Sequence, residues 1–200
     1  MTDQKRTYTM NRRAELQEQT RQRITESAVE LHGTLGPART SMSAVATHAG
    51  VRRSTLYRHF PDEAALFHAC SAHWAAANPL PDMARWAQIA DPGHRLSVAL
   101  EQMYPFYRRN TKMLDNLFRD QSTVAVVGEH FAAFHGYIAA AAAILMTGRR
   151  LRGAARKRTA AAVSHAMAYS TWRSLANEQN LTDAETSFLM CALVAAAAAG

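Results

Sequence analysis

The stretch from Ser41 to Phe60, SMSAVATHAGVRRSTLYRHF, constrains this chain more than any other. Val45, Ala46, Ala49, Val51 and Leu56 are spaced so that two short helices bury one side of the pair. Gly50 falls at the bend, where a positive φ ends a helix at little steric cost. Arg52, Arg53, Ser54, Thr55, Tyr57, Arg58 and His59 are left for the second helix, and most of them are too polar for a core. Leu56 and Phe60 are the core residues among them. Between Leu31 and Pro61 there is no Asp or Glu, whereas Arg39, Arg52, Arg53 and Arg58 all fall there. The motif therefore carries the positive charge suited to a polyanionic partner.

Two such helices match a helix-turn-helix, whose first helix braces against the phosphate backbone while the second presents its N-terminal residues to base edges in the major groove. The pattern Ala46, Ala49, Gly50, Val51, Thr55, Leu56, Tyr57, His59 and Phe60, with Ile24, Ala28, Leu31, Gly36 and Thr40 upstream, resembles the DNA-binding domain of the tetracycline-repressor (TetR) family. The resemblance spans roughly residues 20–67 and rests on many positions at fixed spacing, unlike a single short glycine motif. Arg53, Ser54 and Arg58 then address base edges or nearby phosphates, since an Arg fork can contact guanine O6 and N7. Ser41, Thr55, Tyr57 and His59 hold phosphates and set register. Two positions depart from the family pattern. Arg52 stands where members commonly have a capping Ser, and it adds a phosphate contact instead. Glu63 stands where members commonly have Lys; a carboxylate suits a helix N-terminus but repels DNA.

The remaining sequence reads as all-α. The first ten or so residues are polar and read as a solvated tail, with Lys5 and Arg6 the groups able to reach a neighbouring groove. A helix over about Asn11–His32 places Ile24, Ala28, Leu31 and Leu35 on one face. Ser41 and Asp62 are placed to cap the helices that follow them, the latter carrying Leu66, Phe67 and Cys70 inward and ending near Trp74. Asn78-Pro79-Leu80-Pro81 excludes a continuous helix and marks the domain boundary. Beyond it come a short amphipathic piece (Met83, Trp86, Ile89) and a helix opened by Asp91-Pro92 with a stripe of Leu96, Leu100, Met103 and Tyr107, kinked by Pro105. A short helix with Leu114, Leu117 and Phe118 precedes a long one over about Thr123–Thr147, with Val127, Phe131, Phe134, Ile138 and Leu145 as its apolar residues. Two helices over about Ala154–Asn177 and Asp183–Ala199 close the chain, the second opened by a capping box of Thr182 and Glu185.

Composition narrows the function. The chain has 200 residues, a formal charge of +7 and 48% apolar content, which excludes a disordered tail and favours a polyanionic partner. Cys70 and Cys191 lack the spacing of zinc or redox sites, and with no secretory signal this suggests a reduced cytoplasm. The apolar run Phe188–Ala199 is short of the ~20 residues of a membrane span. No glycine-rich phosphate loop, nucleophile elbow or H-E-x-x-H pair suggests an enzyme. His68, Cys70 and His73 lack a carboxylate and face different ways on their helix, so no metal or cofactor is expected. The basic run Arg149, Arg150, Arg152, Arg156, Lys157 and Arg158 reads as a solvated turn and helix start.

The family resemblance supplies the rest as expectation: about nine helices, with a helix-turn-helix domain and linking helix over residues 1–75, and a helical effector-binding and dimerisation domain over 76–200. The last two helices form a dimer interface across a two-fold axis, matching paired half-sites. Trp86, Met103, Tyr104, Tyr107, Phe118, Phe131, Phe134, Tyr137 and Trp172 are the candidates to line an effector pocket, against the alternative of ordinary core packing. The implied function is a sequence-specific DNA-binding regulator, a repressor released from its operator by a small molecule. A DNA-binding protein without an effector, and an all-helical enzyme assembled only by the fold, remain the alternatives.

Overall fold

The computed structural model describes residues 2–199, with side chains from Arg12 onward. The elements are α1 (Thr2–Thr34), α2 (Met42–His48), α3 (Arg53–His59), α4 (Glu63–Ala77), α5 (Met83–Ala87), α6 (Pro92–Arg109), α7 (Thr111–Asp120), α8 (Ala125–Met146), α9 (Gly153–Met167), α10 (Tyr169–Trp172) and α11 (Asp183–Ala199). A 3-10 turn occupies Pro37–Arg39 and a π-helical stretch Arg173–Glu178. Among the described residues there are thus eleven α-helices and no strand, rather than about nine helices. The difference lies in pieces such as α5 and α10, five and four residues long, which are too short to impose a sequence period. The chain divides into two compact units: one holds the residues up to Pro79 together with Lys112–Gly128, the other Leu80–Thr111 and the chain from Glu129.

In the first unit α1 packs against α2 and α4 and completely buries Ile24 and Ala28. It is helical from Thr2 rather than from Asn11, because no Gly or Pro precedes Gly33 to interrupt it. The side chains of Lys5 and Arg6 lie outside the described residues. Leu35, expected on the buried face, is 44% exposed. The helix has already ended at Thr34, and the N–H groups of Leu35 and Gly36 both close on Leu31 O, so the helical period no longer governs where Leu35 points. Gly36 takes φ +93 and opens the turn into α2. Ser41 Oγ accepts the Ala44 N–H at 3.2 Å and Asp62 Oδ1 accepts the Ala65 N–H at 2.7 Å. Leu66, Phe67 and Cys70 are buried on α4, which continues past Trp74 to Ala77.

In the second unit Asp91 caps α6 through the His94 N–H, and Leu96, Leu100, Met103 and Tyr107 are buried along it. α6 is a single helix through Pro105. α11 packs against α6 and α9, and Thr182 and Glu185 exchange hydrogen bonds at its start. The single helix expected over Ala154–Asn177 is instead broken: Ala168 is extended, at φ −73 and ψ 136. A continuous helix would direct the N–H groups of Ser170 and Thr171 to Ala166 O and Met167 O. Here the phenols of Tyr104 and Tyr107 donate to those two carbonyls, at 2.9 and 2.7 Å, so the break leaves neither one orphaned. Arg149 also differs from its solvated reading. It is half-buried, donating to Leu145 O and Pro92 O, and burial, then the charge of Arg95, holds its pKa down.

Candidate nucleic-acid interface

Leu56 and Phe60 anchor α3 against Val45, Ala46 and Ala49, all of them buried. Gly50 makes the bend at φ +64, and the Val51 N–H closes it on Ala46 O at 3.0 Å. The opposite side of the motif is left to polar groups. Ser41, Arg52, Arg53, Ser54, Tyr57 and Arg58 are exposed, while Thr55 and His59 are half-buried. Arg52 is the N-cap of α3 and gives it no side-chain hydrogen bond, so its guanidinium is not used by the helix. Arg53 lies along the helix, with Nη2 donating to the Tyr57 hydroxyl at 3.3 Å and its guanidinium 5.4 Å from that ring. The pair presents a cation and a phenol from adjacent turns of one face.

His59 is placed less freely than its neighbours. Its Nε2 is enclosed without a hydrogen-bond partner, so that nitrogen reaches a phosphate only if the ring turns. Burial, then the charges of Arg58 and Arg21, pull its pKa below the usual histidine value. Sequence reasoning missed Arg21. Its Nη1 donates to His59 O at 3.0 Å and its guanidinium sits 4.3 Å from the Phe60 ring centroid, so α1 holds the C-terminal end of α3. No local pattern joins two residues so far apart in the chain. Glu63 is exposed in the first turn of α4, beside the Asp62 cap.

The residues expected to line a pocket divide between the units. Phe118 belongs to the first; Trp86, Met103, Tyr104, Tyr107, Phe131, Phe134, Tyr137 and Trp172 belong to the second. Tyr107 lies 5.9 Å from Trp172 and 6.5 Å from Tyr104, ring to ring. The Tyr137 hydroxyl donates to Pro81 O at 2.7 Å and Trp86 Nε1 to Gln102 Oε1 at 2.9 Å. Phe134 and Tyr137 are half-buried, and Phe131 and the other five in this unit are buried. Cys70 faces His32 rather than His68 or His73, with Sγ 3.4 Å from Nδ1.

Residues 24–70, which contain this entire motif, match the model of the bacterial regulatory proteins of the tetR family. Residues 24–70 are thus a tetR-family DNA-binding domain. The likeness extends to fold along most of the chain. A TetR-like transcriptional regulator from Rhodococcus sp. RHA1 superposes with a TM-score of 0.66 at 22% identity, over 90% of this chain and 96% of that one. A tetR-family transcriptional regulator from Streptomyces coelicolor gives 0.60 at 20%, over 91% and 83%. The hemolysin II transcriptional regulator HlyIIR gives 0.62 at 19%, over 90% and 97%. Identities this low carry the fold alone. No curated protein matches the chain. The TetR-family domain makes this a transcriptional regulator and not an enzyme. Among the described residues, no helix is long and apolar enough to cross a membrane.

Proposed function

We propose that this TetR-family chain is a homodimeric cytoplasmic repressor that reads a two-fold operator with α3 and leaves it when a small molecule binds. One observation carries the reading: Arg52, Arg53, Ser54, Tyr57 and Arg58 are exposed together on a short helix anchored by buried Leu56 and Phe60. Residues 1–75 form the reading head, with Ser41, Thr55 and His59 adding phosphate contacts, and residues 76–200 bind effector and partner. The second unit's buried aromatics supply apolar surface for an effector. On α11, Phe188 is 79% exposed, with Leu189 and Leu193 also exposed. An apolar strip of this kind supports pairing of the last helices with those of a second copy. The effector acts only through different affinities for the two arrangements of the dimer.

Selection of bound duplexes from a random pool, repeated with a metabolite library, tests the reading. It is expected to return paired half-sites about one helical turn or more apart, and a ligand that releases them. Failure to bind any duplex at low salt would overturn it. Arg53→Ala is expected to relax sequence preference at one position and to cost about 1–3 kcal/mol on the selected site. Unchanged preference would remove Arg53 from the base-reading set. Glu63→Lys is expected to strengthen binding to all sequences and to steepen the fall of log K with log salt by about one phosphate contact. A neutral result would place Glu63 away from the phosphates.

A further inference from the structure

The end of α1 and the turn into α2 are held by side chains that lie some eighty residues further along the chain. Once α1 stops at Thr34, its last carbonyls have no helical donors. Asn116 Nδ2 supplies them to His32 O at 3.0 Å and Gly33 O at 2.9 Å, and Arg119 Nη2 donates to Leu35 O at 3.0 Å. Asp120 Oδ2 accepts the Ala38 N–H at 3.0 Å, inside the 3-10 turn that leads to Ser41. The three side chains also fix one another. Arg119 Nε donates to Asp120 Oδ1 at 2.7 Å, and Arg119 Nη1 to Asn116 Oδ1 at 2.8 Å. Asn116 and Asp120 are themselves buried. A Cβ on Gly36 would come within 2.0 Å of Arg119 Nη2 and 2.7 Å of Asp120 Oδ2. Glycine is therefore required there by the fit of these side chains as well as by its φ of +93.

We propose that Asn116, Arg119 and Asp120 are positioning residues for operator reading: they fix the corner between α1 and α2, and through it the placement of Ser41 and the α2–α3 pair. None of them needs to touch DNA. The corner is short, with the Thr40 N–H bonded to Pro37 O and the Val45 N–H to Ser41 O, so a shift at Ala38 is passed directly to the start of α2. Release of the corner would leave each head folded but variably oriented, and specific contacts depend on orientation far more than phosphate attraction does.

The inference rests on the DNA-reading function proposed above, and the test separates the two. Wild type, Asp120→Ala and Arg119→Gln are titrated with a selected operator and with unrelated duplex across a range of salt, and active fractions are measured by stoichiometric binding. Asp120 is buried and its loss also threatens folding. Arg119→Gln is therefore made alongside, since it removes the donor to Leu35 while leaving Asp120 on the Ala38 N–H. The expected result is an operator affinity about tenfold lower, the loss of a charge-assisted hydrogen bond's worth of alignment. Binding to unrelated duplex and the salt slope stay at wild-type values, because no phosphate contact is lost. Wild-type operator affinity in folded Arg119→Gln would overturn the proposal. So would a loss that falls equally on operator and unrelated duplex, or that merely follows the active fraction. If wild type binds no duplex, it is the DNA-reading function itself that fails.

Discussion

Arg95→Met is expected to lower the free energy of unfolding by about 2–4 kcal/mol, the scale of several main-chain carbonyls losing a donor at about 1–3 kcal/mol each, offset in part by relief of the buried charge. Arg95 is 4% exposed in the first turns of α6. Its hydrogen bonds go to main-chain carbonyls: Nε and Nη2 donate to Ile89 O, Nη2 also to Ala90 O, and Nη1 to Ile144 O at 3.0 Å and Thr147 O at 2.7 Å. Ile144 lies in the last turn of α8 and Thr147 just past its end, while Ile89 and Ala90 lead into α6. One planar fork thus ties the segment past the end of α8 to the segment that leads into α6. Methionine fills most of the volume but donates nothing; Ile144 O keeps the Thr147 N–H, while the other three carbonyls lose the Arg95 donor at about 1–3 kcal/mol each before relaxation and solvation. Relief of the buried charge offsets part of that cost, which is why the net figure is smaller than the sum. Urea denaturation is expected to show a lower midpoint at unchanged m-value. Arg95→Lys is expected to recover only part, because an ammonium on a flexible stem cannot span both pairs of carbonyls. A midpoint for Arg95→Met within experimental error of wild type would refute the account.

Arg95 also marks where the sequence stopped being legible. Ser41, Asp62 and Asp91 are readable as caps because each bonds an N–H three residues on. Thr182 and Glu185 are readable for the same reason. Gly50, Leu56 and Phe60 follow from the local rules of a turn and a helical face, and they located the helix-turn-helix. The contacts that hold the head join distant segments: Arg21 to His59, Asn116 to His32, Asp120 to Ala38. No periodicity encodes such pairs. The break at Ala168 makes the point most sharply, because alanine is the best helix former and the segment reads as one helix. At the break a pair of phenols on α6, Tyr104 and Tyr107, some sixty residues upstream, takes the two carbonyls that a continuous helix would bond. Local propensity was outweighed by donors supplied from elsewhere in the unit. Most of the pocket candidates are buried, with Phe118, Phe134 and Tyr137 half-buried, but the set's division between the units was not legible, since Phe118 is separated from the others only by how the chain partitions.

Acidification from pH 6.5 towards 4 is expected to destabilise the protein through His32, by about 3 kcal/mol at the lower end. The ring is buried beside Cys70 Sγ and lies 5.5 Å from the Phe67 ring. Burial pulls its pKa from 6.5 to about 4, outweighing the upward pull of Asp120. The sign follows from proton counts: in this window the unfolded chain takes up a proton that the native ring refuses, so stability falls as pH falls and is fully present above 6.5. Below about 4 both states are protonated and the contribution of His32 to the slope ends. Asp120 acts in a different window. Burial raises its pKa, but the hydrogen bonds from Arg119 and from the Ala38 N–H outweigh that and leave it below 3.8. Its contribution is therefore lost only as pH drops beneath the ordinary carboxylate range. His32→Phe keeps an aromatic ring of similar size against Phe67 and removes the titration. The substitution leaves the His32 carbonyl, which accepts from Asn116, chemically unchanged. Unfolding free energies measured from pH 7 to 4 are thus expected to fall steeply for wild type and much less for His32→Phe. Parallel slopes would mean that the native ring takes up its proton as readily as the unfolded one does. The buried contact with Cys70 would then carry no acid sensitivity.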